Sequence, residues 1–255
     1  MSEKTLLSIV TVSAFDVERL LKTIKSLNKI PSEIEHVVVL PNIDYKSIEL
    51  LNSICKNSPV SMKLVHDKNN GVYEAMNIGV SESNGDYVCF WNSGDELVSP
   101  DTLSELINFI KMGFSKWYIS QVELGWRDSQ IMTLVEVENF VLQKFSSFIS
   151  HQSVIVKKDL FLKMGGFNLK YKVAADTDQI SKMYNSYKPV FFQNSVVRVE
   201  IPNFASKHHR RARVEVLFIA FRNFRGRRRL IAIKNIFLSE ITLIRNRLVY
   251  HDHKS

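Results

Sequence analysis

The sequence predicts an α/β protein with a Rossmann-like, mostly parallel sheet flanked by helices, and three observations lead to that prediction. Apolar strand patterns and amphipathic helix patterns alternate four times in the first hundred residues, as in parallel sheets with helical crossovers. The 255 residues suffice for one large domain of this class. The composition, 45% hydrophobic and 24% charged, is that of a globular protein.

The elements of the first half follow from hydrophobic periodicity and capping residues. Helices are predicted after the N-cap Asp16, from near Asp44, over Val72 to Ser83, and after Ser99, where Pro100 suits a first helical position. The strands between them are predicted over residues 6–13, 34–40, 60–65 and 86–91.

The second half has a mixed pattern, and a basic tail follows it. Short strands, short helices and a helix entered through acidic residues are predicted there. We predict one domain over residues 1–203 and a basic, amphipathic helical extension over 204–255. The predicted elements are strands over 116–120 and 131–137, a strand and short helix over 153–166, a helix over 173–184, and one or two strands over 189–201.

Composition and charge limit the classes of function. The two cysteines, Cys55 and Cys89, lie in apolar patterns, which favours a reducing compartment over a disulfide framework. The N-terminus enters a strand directly, which indicates a cytosolic start, and no apolar run reaches the roughly 18 residues of a membrane span. The formal net charge is +8, and the positive charge is concentrated near the C-terminus. Nine Lys or Arg residues but only one acid lie between Lys207 and Arg229. Such a block indicates an anionic partner.

An acidic turn ends the fourth predicted strand, where α/β sheets place their ligands. Asn92, Ser93, Gly94 and Asp95 form this turn. Its carboxylate and amide oxygens suit a hard divalent ion on phosphate. Alternatively, the turn caps the next helix and nearby amides.

Three further places could carry chemistry. Gly71 permits a sharp bend, so that the amides opening the next helix could face an anion. Asp176 and Asp178 enter a helix, where carboxylates usually favour the helix dipole but could also act as a general base. His151 and Gln152 precede a strand, and a lone histidine there is more often structural.

Four segments, in this order, resemble the family 2 glycosyltransferases of the GT-A fold, and among them the bacterial enzymes that build capsule, O-antigen or colanic-acid-like polysaccharide. The middle block is the most specific, and the match covers roughly residues 5–185. The segments are LSIVTVS (7–13), NNGVYEAMNIGVSESNGDYVCFWNSGDEL (69–97), HQSVIVKKDLFLKMGGFN (151–168) and YKVAADTD (171–178).

The resemblance implies an inverting, metal-dependent transfer from a nucleotide sugar, with a UDP-sugar expected. Asp176 falls at the position of the general base. Asp95, with Asn92 as a weaker ligand, would hold Mn²⁺ or Mg²⁺ on the donor diphosphate. Supporting or acceptor contacts fall on Asp178, His151 and Gln152. The donor contacts implied are Val12, Ser13, Asn69, Gly71, Tyr73, Met76, Asn77, Asn92 and Ser93.

The resemblance and the basic tail together predict partners and location. We expect a lipid-linked or oligosaccharide acceptor, an anionic membrane surface contacted through residues 207–229, and a peripheral position on the cytoplasmic face of the inner membrane. No nucleic acid is expected. The alternative for the tail is a helix that packs its apolar side on the domain and solvates its arginines.

Departures from the family pattern leave two other functions open. Pro41 and Asn42 stand where an acidic turn is usual, Asn69 replaces an aspartate, and Asn92 replaces an acid. Fewer carboxylates are compatible with a catalytically degenerate GT-A partner protein. The basic clusters KHHRRAR and RGRRR could instead serve a nucleic-acid-binding protein.

Overall fold

The computed structural model describes most of the chain. Outside the described residues lie Asn42, Asp44, the end of the strand predicted over 131–137, and Lys207 with Arg227 and Arg228 of the basic block. The described residues are 4–14, 16–41, 45–58, 60–126, 131–133, 149–201, 208–226 and 229–234.

One mixed sheet forms the centre of the described residues. Its order is β3-β2-β1-β4-β8-β6-β9-β5, with β7 paired to β6. The first four strands in this order are parallel, β8 is antiparallel to both of its neighbours, and β6 and β9 are parallel. The strands are β1 Leu7–Val12, β2 Ile34–Pro41, β3 Ser61–Asp67, β4 Tyr87–Asn92, β5 Glu96–Leu97, β6 Trp117–Trp126, β7 Ile131–Thr133, β8 Val154–Lys157 and β9 Val190–Ile201.

The helices begin where the capping residues predict. Asp16 accepts a hydrogen bond from the Arg19 amide, and Ser99 accepts one from the Thr102 amide with Pro100 opening the helix. Among the described helices, none is both long and apolar enough to cross a membrane. The helices are α1 Val17–Ser26, α2 Tyr45–Asn57, α3 Val72–Glu82, α4 Pro100–Lys111, α5 Lys158–Lys163, α6 Ala175–Ser186 and α7 His209–Asn223, with a 3₁₀ turn over His151–Ser153.

Both faces of the central strands are covered, which explains their continuous apolar sequences. Side chains alternate between the faces along β4: Phe90 packs with α3 and α5, and Trp91 packs with α4. Helices α1 and α2 lie on the same side of the sheet as α4. Helix α3 approaches the sheet so closely that a Cβ at Gly79 would lie 2.3 Å from Cγ1 of Val10.

The strands that depend on distant partners were not predicted from the sequence, or were predicted too short. Strand β5 has two residues, and its Glu96 pairs with Arg198 of β9. Strand β6 extends to Trp126, beyond the predicted 116–120, because β9 lies beside it along most of its length. Such pairings are set by residues far away in sequence rather than by local pattern.

A buried histidine gives the fold a predictable sensitivity to acid. His36 in β2 is fully buried, its Nε2 lies 2.9 Å from Oγ1 of Thr11, and burial lowers its pKa to about 3. Below pH 6.5 the unfolded chain therefore binds a proton that the folded chain does not. Between pH 7.5 and pH 5 this should remove about 2 kcal/mol from the free energy of unfolding.

Urea unfolding at pH 7.5 and pH 5.0 measures this loss. The loss should be about 2 kcal/mol smaller in His36→Gln, whose amide can still reach Thr11 but does not titrate. Burial raises the pKa of Asp95 to about 6, an effect of opposite sign that cancels because both proteins contain it. Equal losses in wild type and variant would contradict the assignment to His36.

Candidate active site

The candidate site lies at the edge of the sheet where β1 and β4 both end. Val12 and Asn92 are register partners in these parallel strands, and the amide of Ser93 donates to the carbonyl of Val12 at 3.0 Å. Ser13 follows Val12, and its amide donates to Val39 of β2 at 3.0 Å. This is the edge at which open α/β sheets bind ligands.

Four polar side chains from four separate elements meet at this edge. Nδ2 of Asn92, at the end of β4, lies 3.4 Å from Nε2 of His151 in the 3₁₀ turn. Nδ1 of the same ring lies 3.3 Å from Oδ2 of Asp176 in the first turn of α6. Oδ1 of Asp176 lies 3.1 Å from the hydroxyl of Tyr73 in α3. We call Asn92, His151, Asp176 and Tyr73 the polar chain.

Asp176 provides the carboxylate of the polar chain, and solvent can reach it. Its side chain is 19% exposed, and Oδ1 accepts the amide of Thr177 at 2.8 Å. The N-terminal turn of α6 favours negative charge there. The carboxylate is thus held from three sides yet accessible, the arrangement that a general base requires.

Tyr73 has its hydroxyl fixed by the loop that precedes α6. The hydroxyl donates to the carbonyl of Val173 at 2.7 Å. Burial, together with the negative charge of Asp176, raises the pKa of Tyr73 well above its usual value. Tyr73 therefore stays neutral near pH 7, and its single hydroxyl proton lies between the Val173 carbonyl and Asp176. Its contact with the donor stays a prediction.

Asp95 does not present a ligand to the cleft. Its carboxylate is buried, and Oδ2 accepts the amide of Asn92 at 2.7 Å and the side-chain amide of Gln152 at 3.1 Å. Oδ1 accepts the amide of Glu200 at 3.2 Å. Burial outweighs these bonds and raises the pKa of Asp95 to about 6. In this structure Asp95 ties β4 to β9 with support from Gln152, and its role as a metal ligand stays a prediction.

The turn also lacks a second carboxylate that could replace Asp95. Gly94 has φ +101°, and a Cβ there would lie 2.3 Å from Oε2 of Glu200 and 2.8 Å from Nε of Arg19. Arg19 and Glu200 form an ion pair at 3.1 Å. Across the described part of the chain, no three His, Cys, Asp or Glu side chains group so as to hold a metal. Asp95 would have to turn toward the cleft to hold Mn²⁺ or Mg²⁺, and the metal site stays a prediction.

Three other predicted contacts have side chains that are bonded or buried elsewhere in this structure, and their roles at the site stay predictions. Asp178 is fully buried, pairs with Lys182 at 2.6 Å and accepts Asn223 of α7 at 2.9 Å. Met76 is fully buried in the core. Asn77 both accepts from the amide of Phe167 and donates to its carbonyl, each at 2.9 Å.

The remaining predicted donor residues mark the entry to α3. Asn69 and Gly71 are exposed and have φ values of +57° and +119°, so the chain bends sharply there. No side chain caps the helix that Gly71 opens. The bend predicted for Gly71 is present, and the donor contact of both residues stays a prediction.

Sequence reasoning missed Glu215, which contacts the loop before Asp176. Its carboxylate accepts three backbone amides of that loop. The available signal was its isolation, since it is the one acid in the basic block from Lys207 to Arg229. A lone carboxylate among arginines on an amphipathic helix indicates an inward-facing partner.

Comparison with known proteins identifies relatives of the chain. The model of the family described as "Glycosyl transferase family 2" matches residues 8–154, more than half of the chain. An uncharacterized glycosyltransferase of Mycobacterium tuberculosis is 26% identical over 198 residues, 74% of this chain and 73% of that protein. A PGL/p-HBAD biosynthesis glycosyltransferase of Mycobacterium bovis BCG is 25% identical over 52% of this chain and 51% of that protein.

Solved structures share the fold at low sequence identity. Residues 1–349 of TarS from S. aureus, in complex with UDP, superpose with a TM-score of 0.65 and 15% identity over 87% of this chain and 67% of that chain. The mannosyltransferase PcManGT from Pyrobaculum calidifontis, in complex with GDP-Man and Mn²⁺, gives 0.66 and 15% over 91% and 68%. The predicted GT-A fold is thereby confirmed.

Proposed function

The chain belongs to glycosyl transferase family 2, and on this premise we propose that it transfers a sugar from a nucleotide-sugar donor to a glycan acceptor with inversion at the anomeric carbon. The observation that carries the proposal is the polar chain, which holds the accessible carboxylate of Asp176 near the end of β4. The family match ends at residue 154, so the role of Asp176 rests on this geometry and on the sequence resemblance.

The reaction is a single displacement. An acceptor hydroxyl oxygen forms the new bond to the anomeric carbon while the bond from that carbon to the diphosphate oxygen breaks. The hydroxyl proton passes to Asp176. Tyr73 and His151 keep the carboxylate oriented through contacts of 3.1 and 3.3 Å. The nucleoside diphosphate leaves with the electron pair.

The donor class follows from the family and is supported by the similar structures. TarS was solved with UDP and with UDP-GlcNAc, and PcManGT with GDP-Man and Mn²⁺. We propose a nucleoside-diphosphate sugar, with UDP as the first base to test. Asp95 is buried and bonded inward, so the proposed displacement depends on Asp176, and a comparison with and without metal measures any contribution of a cation.

The acceptor proposal rests on helix α7 in the basic extension. Its exposed side carries Val214, Phe218 and Phe221, and we call these three residues the outer ridge. We propose that the ridge and its arginines rest on an anionic membrane at the cytoplasmic face, where a lipid-linked acceptor for a bacterial surface glycan is available. The lipid of such an acceptor would hold the glycan at the membrane surface beside the ridge.

A donor screen by thermal shift tests the proposed activity. The full chain is heated with UDP-, GDP-, dTDP- and CMP-sugars, in Mn²⁺, in Mg²⁺ and in EDTA. We expect one nucleotide class to raise the melting temperature by several degrees, because only the folded state binds it. The difference between the metal and EDTA arms measures any contribution of the cation.

The selected donor is then incubated with lipid extract, and release of nucleoside diphosphate is measured. Release that depends on the extract supports transfer to a lipid-linked acceptor. Absence of a shift with every nucleotide would contradict the proposal and favour a catalytically degenerate partner protein.

A further inference from the structure

Helix α7 lies in the predicted extension but packs beside the start of α6. Its inner face buries Val216, Ile219, Ala220 and Phe224 in a cluster that includes Ala174. At its end, Nδ2 of Asn223 donates to Oδ1 of Asp178 at 2.9 Å, and the Asn223 carbonyl accepts Nδ2 of Asn185 at 2.8 Å. The helix therefore covers the segment that leads into Asp176.

Glu215 on this inner face binds three consecutive backbone amides. Oε1 accepts the amide of Lys172 at 3.0 Å, and Oε2 accepts those of Val173 at 2.8 Å and Ala174 at 3.0 Å. Arg211 donates to Oε1 at 2.9 Å. A carboxylate that satisfies three loop amides at once replaces the hydrogen bonds that such a loop would otherwise make to water.

The charge of Glu215 is stable at its position. Burial alone would raise its pKa, but the hydrogen bonds from the three amides and from Arg211 outweigh burial, and the net effect lowers the pKa below its usual value. Because the carboxylate stays ionised, these bonds are charge-assisted and strong. The loop over residues 172–174 is thus fixed from the C-terminal helix.

That loop sets the position of Asp176 in two ways. The carbonyl of Val173 accepts the hydroxyl of Tyr73 at 2.7 Å, and this hydroxyl lies 3.1 Å from Asp176. The carbonyl of Ala174 accepts the amide of Asp178 at 3.1 Å, which forms the first turn of α6. A shift of the loop would therefore move both Tyr73 and the helical turn that bears Asp176.

We propose that Glu215 is a positioning residue for Asp176, so that the basic C-terminal helix is a working part of the acceptor side of the site. This inference deepens the proposed function and rests on it for the meaning of Asp176. Glu215 is not proposed to contact the donor or the acceptor. It acts through the loop, Tyr73 and the first turn of α6.

The first test reads the position of Asp176 without any substrate. The side-chain resonances of ¹³C-labelled histidine are recorded for the full chain at pH 7.5, and His151 is assigned by its loss in His151→Gln. In Glu215→Gln the side-chain amide nitrogen cannot accept a loop amide, so the His151 resonance should shift because Asp176 moves. Arg211→Gln is the matched control, since it removes the ion pair but leaves the carboxylate on its three amides.

The second test separates positioning from simple stabilisation. At a temperature where Glu215→Gln is folded by circular dichroism, its kcat should fall roughly 10- to 100-fold, as for a misplaced reacting group. The Kd for UDP, used as the probe, should stay within about twofold of wild type. An unmoved His151 resonance would overturn the inference, as would an unchanged kcat. Absence of transfer by wild type would count against the proposed function and leave the resonance result standing.

Discussion

Replacing Asp176 by Asn should lower kcat by about 10²- to 10⁴-fold, the usual contribution of a general base. The variant keeps the size of the side chain, and its oxygen can still accept the amide of Thr177, which lies 2.8 Å from Oδ1 in the wild type. It cannot take the proton of an acceptor hydroxyl. Initial rates with the selected donor and lipid extract measure the loss.

The variant should still bind the donor nucleotide, because Asp176 is not among the predicted donor contacts and its neighbours His151 and Tyr73 are unchanged. Asp101→Asn is a matched control, since Asp101 is an exposed aspartate in the first turn of α4. A loss of less than tenfold in Asp176→Asn would assign the base elsewhere. A loss of nucleotide binding equal to the loss of rate would indicate a structural role for Asp176.

The first half of the fold is predictable from sequence because its signals are local. Strand and helix periods alternate there, and Asp16 and Ser99 place two helix starts that the structure has. The pairing of β6 with β9 is not predictable in this way. It joins Tyr118 to Val190, and no periodicity within either segment encodes that distance.

In the site, too, the sequence predicts where residues lie but not where their side chains point. The sequence places an acid and an amide at the end of β4, but the direction of the Asp95 carboxylate is decided by Gln152 and the amide of Glu200. Both partners come from later segments of the chain. The turn was therefore placed correctly, the inward direction of the Asp95 carboxylate could not be read from the sequence, and the metal site stays a prediction.

The basic extension was predicted as amphipathic, and the structure shows which aromatic residues face which side. Phe224 and Ile219 are buried against the domain, whereas Phe218 is 65% and Phe221 is 53% exposed. Composition alone could not separate them. The buried inner face is the packing that the alternative for the tail predicts. The exposed outer ridge is still available to contact a membrane.

The outer ridge has the chemistry of a surface that rests on anionic lipid. Val214, Phe218 and Phe221 follow at helical spacing, Arg222 and Arg225 are exposed in the same segment, and the guanidinium of Arg229 lies 5.7 Å from the Phe221 ring centroid. Glu215, which is the one acid in the described residues after 208, is turned inward. Burial of aromatic side chains in the interface together with arginine contacts to head groups is the usual mode of peripheral binding.

Replacing Phe218 and Phe221 together by Ser should weaken binding to phosphatidylserine vesicles by about 10- to 100-fold, or about 1.4–2.7 kcal/mol. This is less than the roughly 1.5–3 kcal/mol for full burial of each phenylalanine, because both side chains are already partly buried. Vesicle co-sedimentation of the full chain measures the partition coefficient. Phe114→Ser is the matched control, because Phe114 is 62% exposed but follows α4 rather than lying on α7.

The arginines and the phenylalanines should respond differently to salt. Raising the salt from 0.1 M to 0.5 M should weaken wild type by screening the arginines, while the smaller apolar contribution of the variant persists at both concentrations. Equal loss in Phe114→Ser would show that any exposed aromatic residue suffices, and unchanged sedimentation of the double variant would exclude the outer ridge. The same helix holds Glu215 against the loop before Asp176. If the double variant loses membrane binding but keeps its kcat on a detergent-dispersed acceptor, the outer face of α7 serves membrane binding and the inner face serves the position of Asp176.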